Sequence, residues 1–283
     1  MLENMYHHPS LKERVVIITG GGRGFGWEIG KKLLEAGAKV TLTASRNPAE
    51  LEKVKKIADE ISPGNCLTLL ADVGKWEDCE RTIADTVTAF GPVDVLINNA
   101  ARGSQEYNMS LGADGDRFWE VGVEGWESIM RTNINGVFLM SKACASLMIE
   151  RKIGKIINLS TNLTTMVRAG LSPYGASKGA IETATVAWAK ELEEYDVDIN
   201  VLLPGGAADT GFITQSMVEG EVGQRDSLMP ADVIVPPAIY LATDMSNGVT
   251  GRRIVANLWE DDLLQAEAFK KCLQTQHEHP EIM

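Results

Sequence analysis

The 283-residue sequence predicts an α/β fold: a single doubly wound domain whose parallel sheet of about seven strands is covered by helices on both faces. Three observations predict it. Short β-branched apolar runs alternate with segments of helical spacing along most of the chain, as a parallel sheet buried on both sides requires. A glycine-rich turn joins the first apolar run to the first helical segment. Two long loop-like segments, 101–123 and 205–230, follow the C-terminal ends of strands, the side of an open α/β sheet where ligands bind.

In chain order, residues 14–19 (RVVIIT) form the first strand, and 24–36 a helix with Phe25, Ile29, Leu33 and Leu34 spaced for one face. Residues 39–44 (KVTLTA) are a second strand. A helix over 48–61 then shows Leu51, Val54 and Ile57 to the core. A strand at 66–71, a helix over 75–90 and a strand at 93–98 (VDVLIN) complete the first half. The second half brings a long helix over 125–150, a strand at 155–159 and a helix from 172 to about 195, with Ser172 as N-cap and Pro173 at its first position. A strand at 198–203, a helix near 231–243 and a last strand at 253–256 follow. With no repeat and no linker, the chain reads as one domain (1–283): a core of about 12–257, an enlarged loop at about 102–121 and a C-terminal tail at about 259–283.

Composition narrows the function classes. Lys+Arg number 27 against 39 Asp+Glu, a net charge of −12 that opposes the phosphate attraction on which nucleic-acid binding depends. No apolar run reaches the roughly 18 residues of a membrane helix, and the first residues lack the apolar stretch of a signal peptide. Cys66, Cys79, Cys144 and Cys272 form no close pair and no metal-site spacing. They read as reduced, buried thiols, and the protein as cytoplasmic. His277 and His279 offer a metal pair on paper, but a solvated tail is the plainer reading, so no metal is expected.

The turn Thr19-Gly20-Gly21-Gly22-Arg23-Gly24-Phe25-Gly26 lies between a strand and a helix at the start of a βαβ unit. Glycines there let the backbone turn tightly and approach a pyrophosphate, which the helix N-terminus stabilises. The spacing, T-G-x-x-x-G-x-G, resembles that of the classical short-chain dehydrogenase/reductase family. Asp72-Val73 resembles the family's adenine-side pair, and Asn98-Asn99-Ala100-Ala101 its N-N-A-G element with Ala101 in place of Gly. Tyr174-Gly175-Ala176-Ser177-Lys178 matches Y-x-x-x-K, and Pro204-Gly205 the P-G after the sixth strand. Five motifs fall in order over roughly residues 12–257. The resemblance implies a Rossmann-type fold, a nicotinamide cofactor and hydride transfer between alcohols and ketones.

At the end of the second strand, where NAD enzymes usually carry a carboxylate for the ribose, the chain has Ala44, then Ser45 and Arg46, and no acid before Glu50. With Arg23 in the glycine turn, two guanidinium groups suit the 2′-phosphate of NADP, so NADP is favoured over NAD.

Tyr174 and Lys178, at i and i+4, share one helix face. An ammonium and a helix N-terminus both favour tyrosinate, whose ordinary pKa is near 10. The reading is that Tyr174 gives or takes the proton of the substrate oxygen and that Lys178 also bonds the nicotinamide ribose. The family places a Ser 13 residues before the Tyr, where this chain has Thr161, preceded by Ser160. Thr161 is preferred as the catalytic hydroxyl and Ser160 remains the alternative. Asn133 matches the family's helix Asn, whose implied role is to hold a water in a proton relay through the lysine.

The loop at 102–121 carries Tyr107, Met109, Phe118 and Trp119, and the segment at 205–230 carries Phe212, Ile213, Met217, Leu228 and Met229. Such side chains suit either a lid over an apolar or aromatic substrate or packing against the core or a subunit interface. Thr210 stands one residue late for the family's P-G-x-x-x-T, which leaves the carboxamide contacts open. The tail offers an amphipathic stretch through Leu263, Leu264, Phe269 and Cys272, read as a cap over the site or over a neighbouring subunit. The resemblance also implies a homodimer or homotetramer through the helices at 125–150 and 172–195, where Ala184, Ala187, Trp188 and Leu192 suit an interface and equally suit the core. Within the enzyme class, sugar or polyol oxidation and 3-oxoacyl thioester reduction compete with apolar ketone chemistry. The reading from another class is a nicotinamide-binding sensor without turnover.

Overall fold

The structure, a computed structural model, describes residues 8–103, 106, 116–212 and 225–274. Strands β1 (Val15–Ile18), β2 (Lys39–Ala44), β3 (Cys66–Leu70), β4 (Val95–Asn98), β5 (Gly154–Leu159), β6 (Val197–Leu203) and β7 (Arg253–Val255) form one sheet in the order β3-β2-β1-β4-β5-β6-β7. Every pairing is parallel. The chain winds outward to β3 and then returns to the far side of β1, so the direction of winding reverses between β1 and β4. A crevice opens at such a point because the loops leaving the two strands diverge.

Why these strands read as continuous apolar runs is visible in their side chains. Consecutive residues point to opposite faces, and both faces are covered. Val16, Ile18, Val40, Leu42, Ile157, Leu202 and Ile254 meet helices α1 (Gly24–Glu35), α2 (Pro48–Ile61) and α8 (Val235–Ala242) in one apolar cluster. Ile17, Leu96, Ile156 and Ile199 meet α3 (Trp76–Phe90), α5 (Val137–Arg151) and α7 (Ser172–Leu192) in the other. On α2 the buried stripe is Leu51, Val54 and Ala58, whereas the expected Ile57 stands at its edge, half-buried. All four cysteines are buried and unpaired.

Four elements differ from expectation. The long helix over 125–150 is α4 (Val123–Met130), a π-helical turn (Arg131–Gly136) and α5. A further short helix, α6 (Leu163–Met166), fills the connection after β5. On α7 the N-cap is Leu171 rather than Ser172, which becomes the first residue of the helix. Ser172 therefore caps nothing, and its buried hydroxyl has no hydrogen-bond partner. The tail forms α9 (Gln265–Cys272), but as part of the core rather than a cap over the crevice. Its Phe269 stacks on Tyr240 of α8 at 4.3 Å, and Leu273 bridges to Ile254. Among the described residues no helix is long and apolar enough to cross a membrane.

Two buried polar devices stiffen the sheet beneath the crevice. Asn98 donates to Ser141 and to Asn158, and Asn158 donates to Thr185, so one ladder of 2.9–3.0 Å bonds crosses from α5 through β4 and β5 to α7. At the other end of β5, the Lys155 ammonium donates to Asp198 of β6 at 3.1 Å and to Ser246 at 3.0 Å. Burial lowers the Lys155 pKa and raises that of Asp198, each opposed by its partner's charge. Desolvation therefore consumes much of the pair's attraction. Lys155→Met alone is expected to destabilise the fold by about 3 kcal/mol, because Asp198 would be left buried and unpaired, while Lys155→Met with Asp198→Leu restores most of it. Urea unfolding of the three proteins checks this. A double variant less stable than the single one contradicts it.

Candidate active site

The glycine turn leaves β1 at the reversal point and is stitched to the loop leaving β4. The Thr19 hydroxyl accepts from the backbone N–H groups of Asn99 and Ala100 at 3.1 and 3.0 Å, while the Asn99 amide donates to the carbonyls of Thr19 and Gly20 at 2.9 Å each. Gly20 and Gly24 hold φ of +66° and +53°, a region that favours glycine. A Cβ on Gly26 would lie 2.5 Å from the Gly20 carbonyl oxygen, so the first turn of α1 can close on the strand only with glycine there. The turn thus presents bare backbone and a helix N-terminus to a cleft of about 900 Å³, a cradle that fits a pyrophosphate.

Of the residues singled out from sequence, Gly20, Gly22, Arg23, Gly24, Phe25, Ser45, Arg46, Asp72, Val73, Asn99, Ala100, Ala101, Ser160, Thr161, Tyr174, Lys178 and Pro204 all line this cleft. Gly26, Gly205 and Asn133 stand behind its wall. Asp72 accepts from the Gly74 N–H at 3.0 Å, which closes the turn after β3. Gly205, at φ +91°, packs its Cα against Asn257. Thr210 lines the cleft as well, pressed against Gly24.

The far end of the cleft differs from the sequence reading in one respect. Arg46 and Arg23 both stand there largely exposed, but each faces a carboxylate. Arg23 pairs with Glu50 at 3.6 Å, and Arg46 with Glu106 at 2.9 Å. Glu106 also accepts from Ser128 at 2.8 Å and pairs with Arg102 at 3.4 Å. Burial disfavours its charge, but the bonds from Ser128 and Arg46 and the nearby guanidinium groups outweigh that and lower its pKa. Glu106 and Arg102 escaped sequence reasoning because no local periodicity or spacing connects them to Arg46, roughly 60 residues away. Tyr107, Met109, Ile213, Met217, His277 and His279 lie outside the described residues.

At the inner end, Tyr174 sits in the first turn of α7 and Lys178 one turn further on, 3% exposed. Thr161 and Tyr174 line the cleft together. Burial pushes the Tyr174 phenol up to about 12, with Thr161 pulling the other way. The Lys178 ammonium donates to the Leu159 carbonyl at 2.7 Å and stands 5.8 Å from the Tyr174 ring centroid. Burial brings its pKa down to about 8, opposed by the Glu182 carboxylate. Ser160, the alternative hydroxyl, turns away and donates to Glu182 at 2.7 Å. Phe212 covers Tyr174, their rings 5.6 Å apart.

Asn133 occupies the π-helical turn, fully buried. Its amide donates to the Arg102 carbonyl and to Ser177, both at 3.0 Å, and its oxygen accepts from the Arg102 N–H at 2.8 Å. Both amide protons and one lone pair of the oxygen are therefore engaged by protein groups. What the side chain does is fasten the loop after β4 to α7, directly behind Lys178. Phe118 and Trp119, expected to face a substrate, are largely exposed and contact each other at 5.1 Å.

These features have counterparts in known proteins. The sequence profile described as short chain dehydrogenase matches residues 14–219. A short-chain type dehydrogenase/reductase of Picea abies is 30% identical over 254 residues, which cover 86% of this chain and 91% of that one. A solved 3-ketoacyl-(acyl-carrier-protein) reductase from Brucella melitensis, complexed with NADH, superimposes with a TM-score of 0.74 at 27% identity, covering 86% of this chain and 96% of its own. Levodione reductase superimposes with a TM-score of 0.75 at 26% identity, covering 86% and 95%. On this similarity the chain belongs to the short-chain dehydrogenase family.

Proposed function

We propose that the protein interconverts a secondary alcohol and a ketone of apolar or aromatic character, with Tyr174 as the acid or base and Thr161 as the hydroxyl that holds the reacting oxygen. NAD(P)-dependent oxidoreduction at a CH–OH or C=O group is the chemistry of the family. The observation that carries the assignment of residues is that Tyr174, Thr161 and buried Lys178 converge at the inner end of the cleft that begins at the glycine turn, while Ser160 is held by Glu182. A nicotinamide, when bound, supplies the hydride donor or acceptor. Gly20, Gly22 and Gly24 would hold its pyrophosphate, and Lys178 its ribose. Thr161 and Tyr174 would fix the substrate oxygen between them and move its proton through the phenol. Phe212 and Leu171, both in the wall, favour an apolar substituent.

With the phenol raised to about 12 and the ammonium lowered to about 8, Tyr174 is protonated at neutral pH and poised to donate, which suits ketone reduction. Alcohol oxidation needs tyrosinate. It is therefore expected to rise as the pH climbs toward about 12, while ketone reduction, which draws on the protonated phenol, falls over the same range. Steady-state rates across a panel of ketones and alcohols from pH 6 upward, including polyols and 3-oxoacyl thioesters, check both substrate class and sign. Tyr174→Phe is expected to lose at least about 1000-fold in kcat while cofactor binding, followed by nicotinamide fluorescence, stays within about twofold. Retained turnover overturns the role of Tyr174. Tight cofactor binding with no turnover on any substrate would favour a sensor.

For the cofactor, NADP remains the proposal, supported by Ala44 at the end of β2 and by Arg46 and Arg23 lining the cleft. Arg46→Ala is expected to weaken NADP binding about tenfold and leave NAD binding nearly unchanged. Equal losses for both cofactors would remove the basis for NADP. Four buried, unpaired thiols fit a reducing compartment, and the cytoplasm is proposed on that ground.

The partner is proposed to be a second copy of this chain. Exposed Phe138 on α5 lies 6.3 Å from the half-buried Trp188 ring on α7, forming an apolar strip beside Ala184 and Ala187. Sedimentation is expected to show a dimer or tetramer, with Phe138→Asp shifting it toward monomer. A native monomer would contradict this.

A further inference from the structure

One charged pair in the described structure takes no part in the family motifs. Arg253, the first residue of β7, and Glu182, on α7 one turn beyond Lys178, are each only about a fifth exposed. The Arg253 Nε donates to both Glu182 oxygens at 3.0 Å. Its Nη2 donates to the Thr161 carbonyl at 2.9 Å, and its Nη1 to the Gln274 side chain. Glu182 in turn accepts from Ser160 at 2.7 Å. The pair therefore grips two consecutive residues at the C-terminal end of β5, one by its hydroxyl and the other by its carbonyl. The second of them carries the hydroxyl that meets Tyr174.

We propose that Arg253 and Glu182 are positioning residues: they lock the Ser160–Thr161 segment against α7 and so fix where the Thr161 hydroxyl stands relative to Tyr174. The geometry explains why the two adjacent hydroxyls have different tasks. Ser160 is committed to Glu182 from behind, and this commitment turns Thr161 toward the cleft. A planar guanidinium suits the task because its fork reaches a carboxylate and a carbonyl together, which an ammonium cannot do with the same rigidity. The link also runs to the C-terminal segment, since the Gln274 N–H donates to the Arg253 carbonyl at 3.0 Å. The charged groups facing Lys178 are then Tyr174 and Glu182 from its own helix, with Arg253 of β7 bound to the latter. Glu182 favours the ammonium, and Arg253 is bonded to that same carboxylate.

The inference rests on the proposed roles of Tyr174 and Thr161, so the test separates the two. Arg253→Met, Arg253→Lys, Glu182→Gln and Tyr174→Phe are compared with the native full chain. Arg253→Met and Glu182→Gln are expected to lower kcat about ten- to hundredfold with the cofactor KM changed less than about twofold, the pattern of a misplaced group rather than a lost binding contact. Arg253→Lys is expected to recover part of that loss. Independently of turnover, the Lys178 midpoint, read by NMR of 13C-labelled lysine side chains, should move down in Glu182→Gln and up in Arg253→Met. General loosening of the fold would not move it in opposite directions. Native kcat and an unmoved midpoint in both variants overturn the proposal, while an inactive Tyr174→Phe would leave the enzyme reading standing. If Tyr174→Phe stays active, the assignment of the acid falls, and the midpoints alone decide the positioning pair.

Discussion

The site depends first on the stitch between the loops leaving β1 and β4. Parallel neighbours end at the same edge of the sheet, and their last residues have backbone groups with no further strand to pair with. Thr19 and Asn99 resolve this reciprocally: a hydroxyl accepts two N–H groups from one loop, and an amide donates to two carbonyls of the other. With those groups satisfied, the glycine turn can expose its remaining N–H groups without losing its shape. The cradle, the first turn of α1 and the floor of the cleft all take their places from this contact.

The inner end of the cleft is built by a different means. β5 delivers Thr161, α7 delivers Tyr174 and Lys178, and the relative placement of strand and helix is held by polar bonds inside the core. The Asn98–Asn158–Thr185 ladder lies below the site, and the Asn133–Ser177 bond lies behind it. Apolar contacts give these elements their cohesion, but directional bonds set the distance across which a proton passes. Lys178 illustrates the balance. Its ammonium is committed to the Leu159 carbonyl, and burial makes its charge conditional.

Much of the frame was legible in the sequence because parallel sheets leave a strong pattern. Seven apolar runs, the helices between them, the glycine turn and the Tyr174–Lys178 spacing are all local signals. The choice of Thr161 over Ser160 came from a count of residues, and no count could show that Ser160 is held by Glu182. What escaped was set by distant contacts. Nothing near Arg46 announces that Glu106 will face it, and nothing near Thr161 announces Arg253. The helix begins at 172 as expected, but its cap was misplaced by one residue because a serine before a proline looks like a cap, whereas Leu171 holds that position here. The long helix through Asn133 was read as uniform because a π turn leaves no change in apolar spacing strong enough to see.

That π turn has a consequence for how the chain can vary. Widening one turn is equivalent to inserting a single residue into an α-helix, and each residue rotates a helix by about 100°. The segment therefore carries two messages in different phases. Ahead of the turn, Ser128 of α4 faces the loop after β4; beyond it, Met140, Cys144 and Met148 of α5 face the sheet. Loss of one residue anywhere in 131–136 would bring the two phases into line and spoil one of the faces. Length in this stretch is thus under tighter constraint than residue identity, the reverse of what holds for an ordinary surface helix.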